Sequence, residues 1–466
     1  MNRKKEIKPF GIRDKIGYMF GDFANDFTFL LSSMFMMKFY TDVMGISPGI
    51  VGGLMMAARC VDAVTDITMG QIADRSKPTA DGKFKPWLKR MCGPVAVSSF
   101  LIYQSAFANM AYGFKVVWMV ITYILWGSVF YTSINIPYGS MASAISEEPN
   151  ERVSLSTWRT IGSTFAGLVI GVSTPMIAYV VVDGNTVLSG TRMTVIAGIF
   201  SVCAVICYLL CFHLVTERVV IEKQSERIKI GKLVRSLFTN RSLIGIILAA
   251  IMVLLAQLGI QGMAGYVYPN YYGSGNAQAL SMLIGTVGML IICAPLATRL
   301  SIRFGKKELS IVSCLIGAVS YLICFLIRPE SPYVYIVFYA IAFIGQGFFS
   351  MVIWAMITDV IDDAELRNGV REDGTIYSVY SFARKAGQAI SNGLSGLLLE
   401  MIGYSQVTAF DTEVVNGIFN ISCIVPVIGL VLVAASLYFV YPLDKKRVEE
   451  NNRKLSQLHE DQPQVP

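Results

Sequence analysis

Residues 193–215 read MTVIAGIFSVCAVICYLLCFHLV, residues 217–236 read ERVVIEKQSERIKIGKLVRS, and residues 242–259 return to SLIGIILAAIMVLLAQLG. An apolar run of about 20 residues is long enough to cross a hydrocarbon core as a helix. Two such runs separated by a charged connector read as two membrane spans joined in water. Working outward, the same pattern recurs six times on each side. The predicted spans are 16–43, 47–74, 88–110, 116–144, 156–182 and 193–215 before the connector. After it come 242–270, 277–302, 308–328, 333–361, 376–403 and 413–441. The expected organisation is a six-helix bundle over 1–216, a central loop at 217–241, a second bundle over 242–441 and a tail at 442–466.

The composition agrees. Charged residues make up 15% and hydrophobic residues 54% of the 466 positions, whereas soluble domains carry roughly 25% charge. Mean hydropathy is +0.55. These values exclude a disordered chain, a secreted disulfide scaffold and a string of small soluble domains. The net charge of +7 lies in the loops between spans, which argues against a nucleic-acid partner. The nine cysteines form no CxxC pair and mostly sit in apolar runs, so they read as packing residues. The basic N-terminus is not followed by a short apolar segment with a cleavage site, and the first span is expected to be retained.

Basic residues orient the spans. With both termini in the cytoplasm, cytoplasmic tails and loops carry 31 Lys and Arg, and the outer loops carry three, Lys115, Arg192 and Arg328. A multi-pass protein of the cytoplasmic (inner) membrane follows, with the lipid bilayer as its surroundings. A weak repeat links MGQIADRSKPTADGKFK (69–85) with PLATRLSIRFGKK (295–307), six spans later. Repeated halves mark a large class of transporters whose substrate site lies near mid-membrane between them. The fold class is therefore an all-α membrane protein, twelve transmembrane helices in two pseudo-symmetric bundles.

Ionisable side chains within spans are costly and point to function. The first span carries Asp22 and Asp26, spaced i, i+4. The second carries Arg59, Asp62 and Asp66, again on one helical face. The fourth places Asn135 before Pro137, the fifth opens with Arg159, and the eleventh carries Arg384 and Lys385. Two carboxylates a turn apart repel, so Asp62 and Asp66 suit a proton or a small hard cation, with Thr65 adding a hydroxyl. The structural alternative is that Arg59 neutralises Asp62 and Lys385 neutralises Asp26 or Asp62. Trp354 is read as packing or as a sugar platform. Two isolated histidines make no metal centre. No Walker loop, HExxH or nucleophile elbow occurs, so the chain is not read as an enzyme and needs no cofactor beyond a coupling ion.

Several segments resemble the glycoside–pentoside–hexuronide:cation symporters, a branch of the major facilitator superfamily that includes melibiose and glucuronide permeases. They are GYMFGDFANDF (17–27), FYTDVMGI (39–46), ARCVDAVTDITMGQIADR (58–75), GKFKPWL (82–88), TYILWG (122–127), NIPYGS (135–140), TDVIDDAELRNGVREDGTIYS (358–378) and FARKAGQA (382–389). The resemblance implies symport of a glycoside with H+ or Na+ by alternating access. It assigns the cation to Asp62 and Asp66, a metal site only if the ion is sodium. It assigns sugar contacts to Asp26 and Arg159. It puts Lys385 near both sites, and Tyr380 and Ser381 where pocket residues are expected. Asn135, Trp354 and Arg384 complete the expected sugar site. Arg75, Lys83 and Lys85 fall in a loop that latches the halves. Thr65 stands where the melibiose permease has an Asn, Asn135 where it has a second sugar-binding Asp, and Gly139 where it has a Trp. The sugar and the ion stay open: β-glucuronide, xyloside or another glycoside, with a proton or sodium. The expected partners are that sugar and a monovalent cation, bound by a monomer. A lipid or lysolipid transporter of the same fold and a non-transporting membrane sensor are the alternatives.

Overall fold

The computed structural model describes residues 9–219, 240–368 and 373–460. Twelve long helices occupy the expected span positions among these residues. They are α1 (Ile12–Lys38), α2 (Pro48–Arg75), α3 (Lys85–Ile102), α4 (Tyr112–Ile145), α5 (Pro149–Ala178) and α6 (Gly190–Leu214). Beyond the connector come α7 (Arg241–Tyr271), α8 (Gly275–Phe304), α9 (Lys306–Ile327), α10 (Pro332–Asn368), α11 (Asp373–Met401) and α12 (Thr412–Val440). Eight are long and apolar enough to cross a membrane. Of the other four, α1, α2 and α11 hold most of the in-span ionisable residues singled out above, and α3 opens with Lys85, Lys89 and Arg90; those charges lower their hydropathy. Arg159 is the exception, on α5.

Packing divides the chain into two units, residues 1–225 with 396–414, and residues 226–395 with 415–466. In the first, α1 lies against α5 and α6, α3 packs on α6 and α4, and α2 packs on α4. Small residues permit the close crossings. A Cβ on Gly21 would stand 2.2 Å from the Tyr138 ring, and one on Gly162 would stand 2.7 Å from the Met19 carbonyl. In the second unit α10 is the central element, touching α7, α8 and α9. One residue, Gly305, turns the chain from α8 into α9 at φ +105°, a conformation that favours glycine.

The structure departs from the expected boundaries in four places. The third span stops at Ile102 rather than 110, because Thr194 Oγ1 donates to the Tyr103 carbonyl at 2.5 Å and a short 3-10 turn, Ser105–Phe107, follows. The fifth begins at Pro149 and ends at Ala178. Residues 179–182, expected to extend it, form strand β1 (Tyr179–Val182) instead, pairing antiparallel with β2 (Asn185–Leu188). Asp183 and Gly184 at positive φ make its two-residue turn, and β-branched flanks favour strands. The tenth runs on to Asn368. The C-terminal tail contains a further helix, α13 (Lys445–Glu460). Most of the expected central loop, 220–239, lies outside the described residues.

The loop between α2 and α3 is fastened inside the first unit. Glu217 accepts hydrogen bonds from the backbone amides of Lys83, Phe84 and Lys85 at 2.6, 3.0 and 2.6 Å. Lys85 Nζ donates to the Val215 carbonyl at 2.7 Å. Arg218 pairs with buried Asp14 at 2.8 Å. Near the α1–α2 turn, Lys38 is almost fully buried and pairs with Asp42 at 2.7 Å. It also donates to Tyr404, whose hydroxyl donates to Asp42 at 2.7 Å.

Candidate functional site

The charged face of α2 meets hydroxyls of α4. Asp62 Oδ1 accepts from Ser128 Oγ at 2.6 Å, and its Oδ2 pairs with Arg59 at 3.1 Å. One turn on, Asp66 Oδ1 accepts from Thr132 Oγ1 at 3.1 Å. Thr65 Oγ1 donates to the carbonyls of Val61 and Asp62, both at 3.2 Å, so its proton stays on its own helix. Ser128 lies in a π-helical stretch of α4, Leu125–Tyr131, a local widening frequent at functional sites. Two carboxylates and two hydroxyls on adjoining helices offer the oxygen-only chemistry that a proton or hard cation requires. Among the described residues no group of three or more His, Cys, Asp or Glu side chains is placed to hold a metal ion.

A second cluster joins α1 and α5. Arg159 Nε donates to Asp22 Oδ1 at 2.8 Å, and its guanidinium lies over the Tyr138 ring, 5.4 Å from the centroid. Tyr138 is held in turn: its hydroxyl donates to the Tyr18 carbonyl at 2.6 Å, and the two rings stack at 4.7 Å. Asp26 is buried one turn above Asp22, and its Oδ2 has no hydrogen-bond partner. Ser163 of α5 stands beside it. Asn135 accepts from Asn25 at 3.4 Å, and Asn25 accepts from Tyr208 at 2.6 Å. An ion-paired, half-exposed guanidinium beside a carboxylate with one oxygen lacking a donor is suited to binding a polyhydroxy ligand, because hydroxyls both donate and accept.

The remaining expected residues belong to the second unit. Trp354 stacks on Tyr377 at 5.5 Å and meets Tyr380 edge-on at 5.2 Å, with Arg384 5.6 Å from its centroid. Trp354 is 39% exposed, while Tyr380 is buried. Ser381 is exposed, and Arg384 and Lys385 are half-buried.

The structure thus brings Asp62, Asp66 and Thr65 together on one helix, and Asp26 and Arg159 into one cluster with Asp22. Ser128, Thr132, Ser163 and Tyr138 were missed as partners. Hydroxyls in an apolar helix leave no periodic signal. One clue was available: Ser128 and Thr132 repeat the four-residue spacing of Asp62 and Asp66.

A family model described as MFS/sugar transport protein matches residues 17–445. The chain belongs to this family. The transporter is similar to the glucuronide carrier protein homolog of Escherichia coli (strain K12), 30% identical over 453 residues that cover 95% of this chain and 96% of the relative. It is also similar to the isoprimeverose transporter of Lactiplantibacillus pentosus, 32% identical over 448 residues covering 95% and 90%. Among solved structures, a bacterial homolog to the human lysosomal transporter Spinster superposes with a TM-score of 0.68 at 12% identity, covering 95% of this chain and 99% of that one. That likeness concerns the fold alone. The twelve-helix major facilitator fold expected from the sequence is met. This is a multi-pass membrane transporter, and not an enzyme.

Proposed function

We propose that this transporter carries a glycoside into the cell together with a proton or sodium ion, by alternating access. The observation that carries the reading is the pairing of two clusters in one packed unit. One is a carboxylate pair braced by hydroxyls on the adjoining helix. The other holds Asp26, whose Oδ2 is a buried acceptor with no donor, beside the Asp22–Arg159 pair. A sugar hydroxyl supplies such a donor, and an unsatisfied buried acceptor costs about 1–3 kcal/mol until one arrives. The relatives named for glucuronide and isoprimeverose support a glycoside as the substrate.

In this reading Asp62, Asp66 and Thr65 take the cation, with Ser128 and Thr132 orienting the carboxylates. Asp26, Asn135 and Arg159 contact the sugar. The protein works as a monomer in the cytoplasmic membrane with both termini in the cytoplasm, in keeping with the 31 basic residues on that side.

The test is sugar-driven ion movement in proteoliposomes. A panel of β-glucuronides, xylosides, β-glucosides and galactosides is added with and without sodium, beside Asp62→Asn. One sugar driving proton or sodium entry in the wild type and not in the variant is the expected result. Folded protein that moves no ion with any sugar would overturn the reading.

A further inference from the structure

The two clusters of the first unit are joined by an aromatic contact that neither needs for its own geometry. Arg59, the partner of Asp62, lies over the Phe29 ring at 5.5 Å. Phe29 stacks on Tyr131 at 5.5 Å with the planes 20° apart. Tyr131 stands four residues before Asn135 on α4, one turn from the sugar cluster. Trp126 backs Tyr131 at 5.6 Å. Phe29 shares the α1 face of Asp22 and Asp26, at i, i+4 and i+7.

From this geometry we propose that Phe29 and Tyr131 form the relay through which cation occupancy at Asp62 alters sugar affinity at Asp26, with Arg59 as the moving part. The inference rests on the cation and sugar assignments proposed above. A cation at Asp62 competes with Arg59 for Oδ2, because both are positive and only one can hold that oxygen at close range. The displaced guanidinium keeps the Phe29 face, since cation–π attraction persists after the ion pair is lost. Phe29 and Tyr131 then re-seat together, because a close-packed interior transmits the shift of one stacked ring to the other. Phe29 stands one turn after Asp26 on α1 and Tyr131 one turn before Asn135 on α4, so the position of the pair sets a wall beside the sugar cluster. Both side chains are positioning residues in this account.

Linkage makes the relay measurable. If a cation raises sugar affinity by some factor, the sugar raises cation affinity by the same factor, commonly 5- to 150-fold. Calorimetry on the purified full-length protein gives that factor. The probes are 4-nitrophenyl-β-D-glucuronide, 4-nitrophenyl-β-D-xyloside and whichever panel sugar moves an ion, each with and without sodium and at acid and neutral pH. Tyr131→Leu and Phe29→Leu are expected to bring the factor to within about twofold of unity while leaving sugar affinity measurable. Tyr131→Phe keeps the ring and is expected to retain most of it. Coupling unchanged in Tyr131→Leu or Phe29→Leu would overturn the relay and leave the symport reading intact. Loss of sugar binding in Tyr131→Phe as well as Tyr131→Leu would also overturn it, making Tyr131 a direct ligand. A wild-type protein whose affinity for every probe ignores sodium and pH would overturn both the relay and the reading beneath it.

Discussion

Asp66 and Thr132 are held at 3.1 Å in the same register as Asp62 and Ser128 at 2.6 Å, each pair 66 residues apart in the chain. The helices α2 and α4 therefore meet as a two-rung ladder with carboxylates on one side and hydroxyls on the other. Each hydroxyl fixes one oxygen of its carboxylate and leaves the other to be directed elsewhere. Hydrogen bonds to charged groups contribute about 1.5–3 kcal/mol. Thr132→Val keeps the shape and removes the donor. It is expected to weaken the apparent affinity for the coupling ion by about tenfold or more, with Ser128→Ala similar. The check is the cation concentration giving half-maximal uptake in proteoliposomes. An unchanged value in both variants would remove the hydroxyls from the ion site.

The Asp22–Arg159 pair is expected to link stability to sugar binding. Its carboxylate side chain is 9% exposed while the guanidinium is 41% exposed, so solvent screens the pair on one side only. Breaking a buried pair by removing one partner strands the other charge, which is worse than removing both. Asp22→Asn and Arg159→Gln are each expected to lower thermal stability more than the double variant does, per charge removed. Arg159→Lys keeps the charge but loses the Nε contact and the flat stack on Tyr138, so sugar affinity falls with little change in melting temperature. Thermal unfolding in detergent and sugar calorimetry separate these effects.

Gly21 adjoins Asp22 and faces Tyr138, the ring beneath Arg159. An added Cβ would come within 2.2 Å of that ring and 3.0 Å of the Cys211 sulfur. The ring is stacked on Tyr18 and bonded through its hydroxyl, so it has little room to yield. Gly21→Ala is expected to cost about 1–3 kcal/mol by overpacking and to weaken sugar binding through the displaced Arg159. Gly139→Ala serves as the control, because no heavy atom lies within 4 Å of a Cβ there. Equal melting temperatures for the two variants would contradict this.

Helix positions were legible because the bilayer imposes one length and one composition on each span. The carboxylates were legible for the same reason in reverse, since Asp62, Asp66 and Asp26 stand out against apolar neighbours. Their hydroxyl partners were not, because Ser128 and Thr132 cost little in a helix and carry no charge. The first strand of the hairpin after α5 falls inside the expected span 156–182 because Val180, Val181 and Val182 are as apolar as any helix. The Asp183–Gly184 turn was the overlooked signal. The partnership of Lys38 with Tyr404, 366 residues away, follows from packing alone. No local pattern announces it.

That partnership gives its own prediction. Lys38 has a 2% exposed side chain, and its ammonium is satisfied by Asp42 and Tyr404. Lys38→Met leaves Asp42 with hydroxyl donors only, Thr41 at 2.9 Å and Tyr404 at 2.7 Å. Stranding one member of a buried pair costs about 3–5 kcal/mol. A marked drop in melting temperature is expected for Lys38→Met, with partial recovery in Lys38→Met combined with Asp42→Asn. No recovery in the double variant would mean that Lys38 acts through packing rather than charge.

Glu217 makes the stability of the cytoplasmic end sensitive to pH. Burial pushes its carboxyl above the ordinary value of 4.5, and the three amides of Lys83, Phe84 and Lys85 pull it back only in part. A folded-state value above the unfolded one means that folding favours the protonated acid. Its stabilising share is then complete below the ordinary value and is lost as pH rises through the folded value. Glu217→Gln cannot ionise, yet its carbonyl can still accept from Phe84 and Lys85. The melting temperature of the wild type relative to Glu217→Gln is therefore expected to fall as pH rises through that window, then to level off. Glu217→Ala, which accepts from none of the amides, should lie below Glu217→Gln at every pH. A difference between wild type and Glu217→Gln that grows with pH would mean that the amides, not burial, dominate the carboxylate.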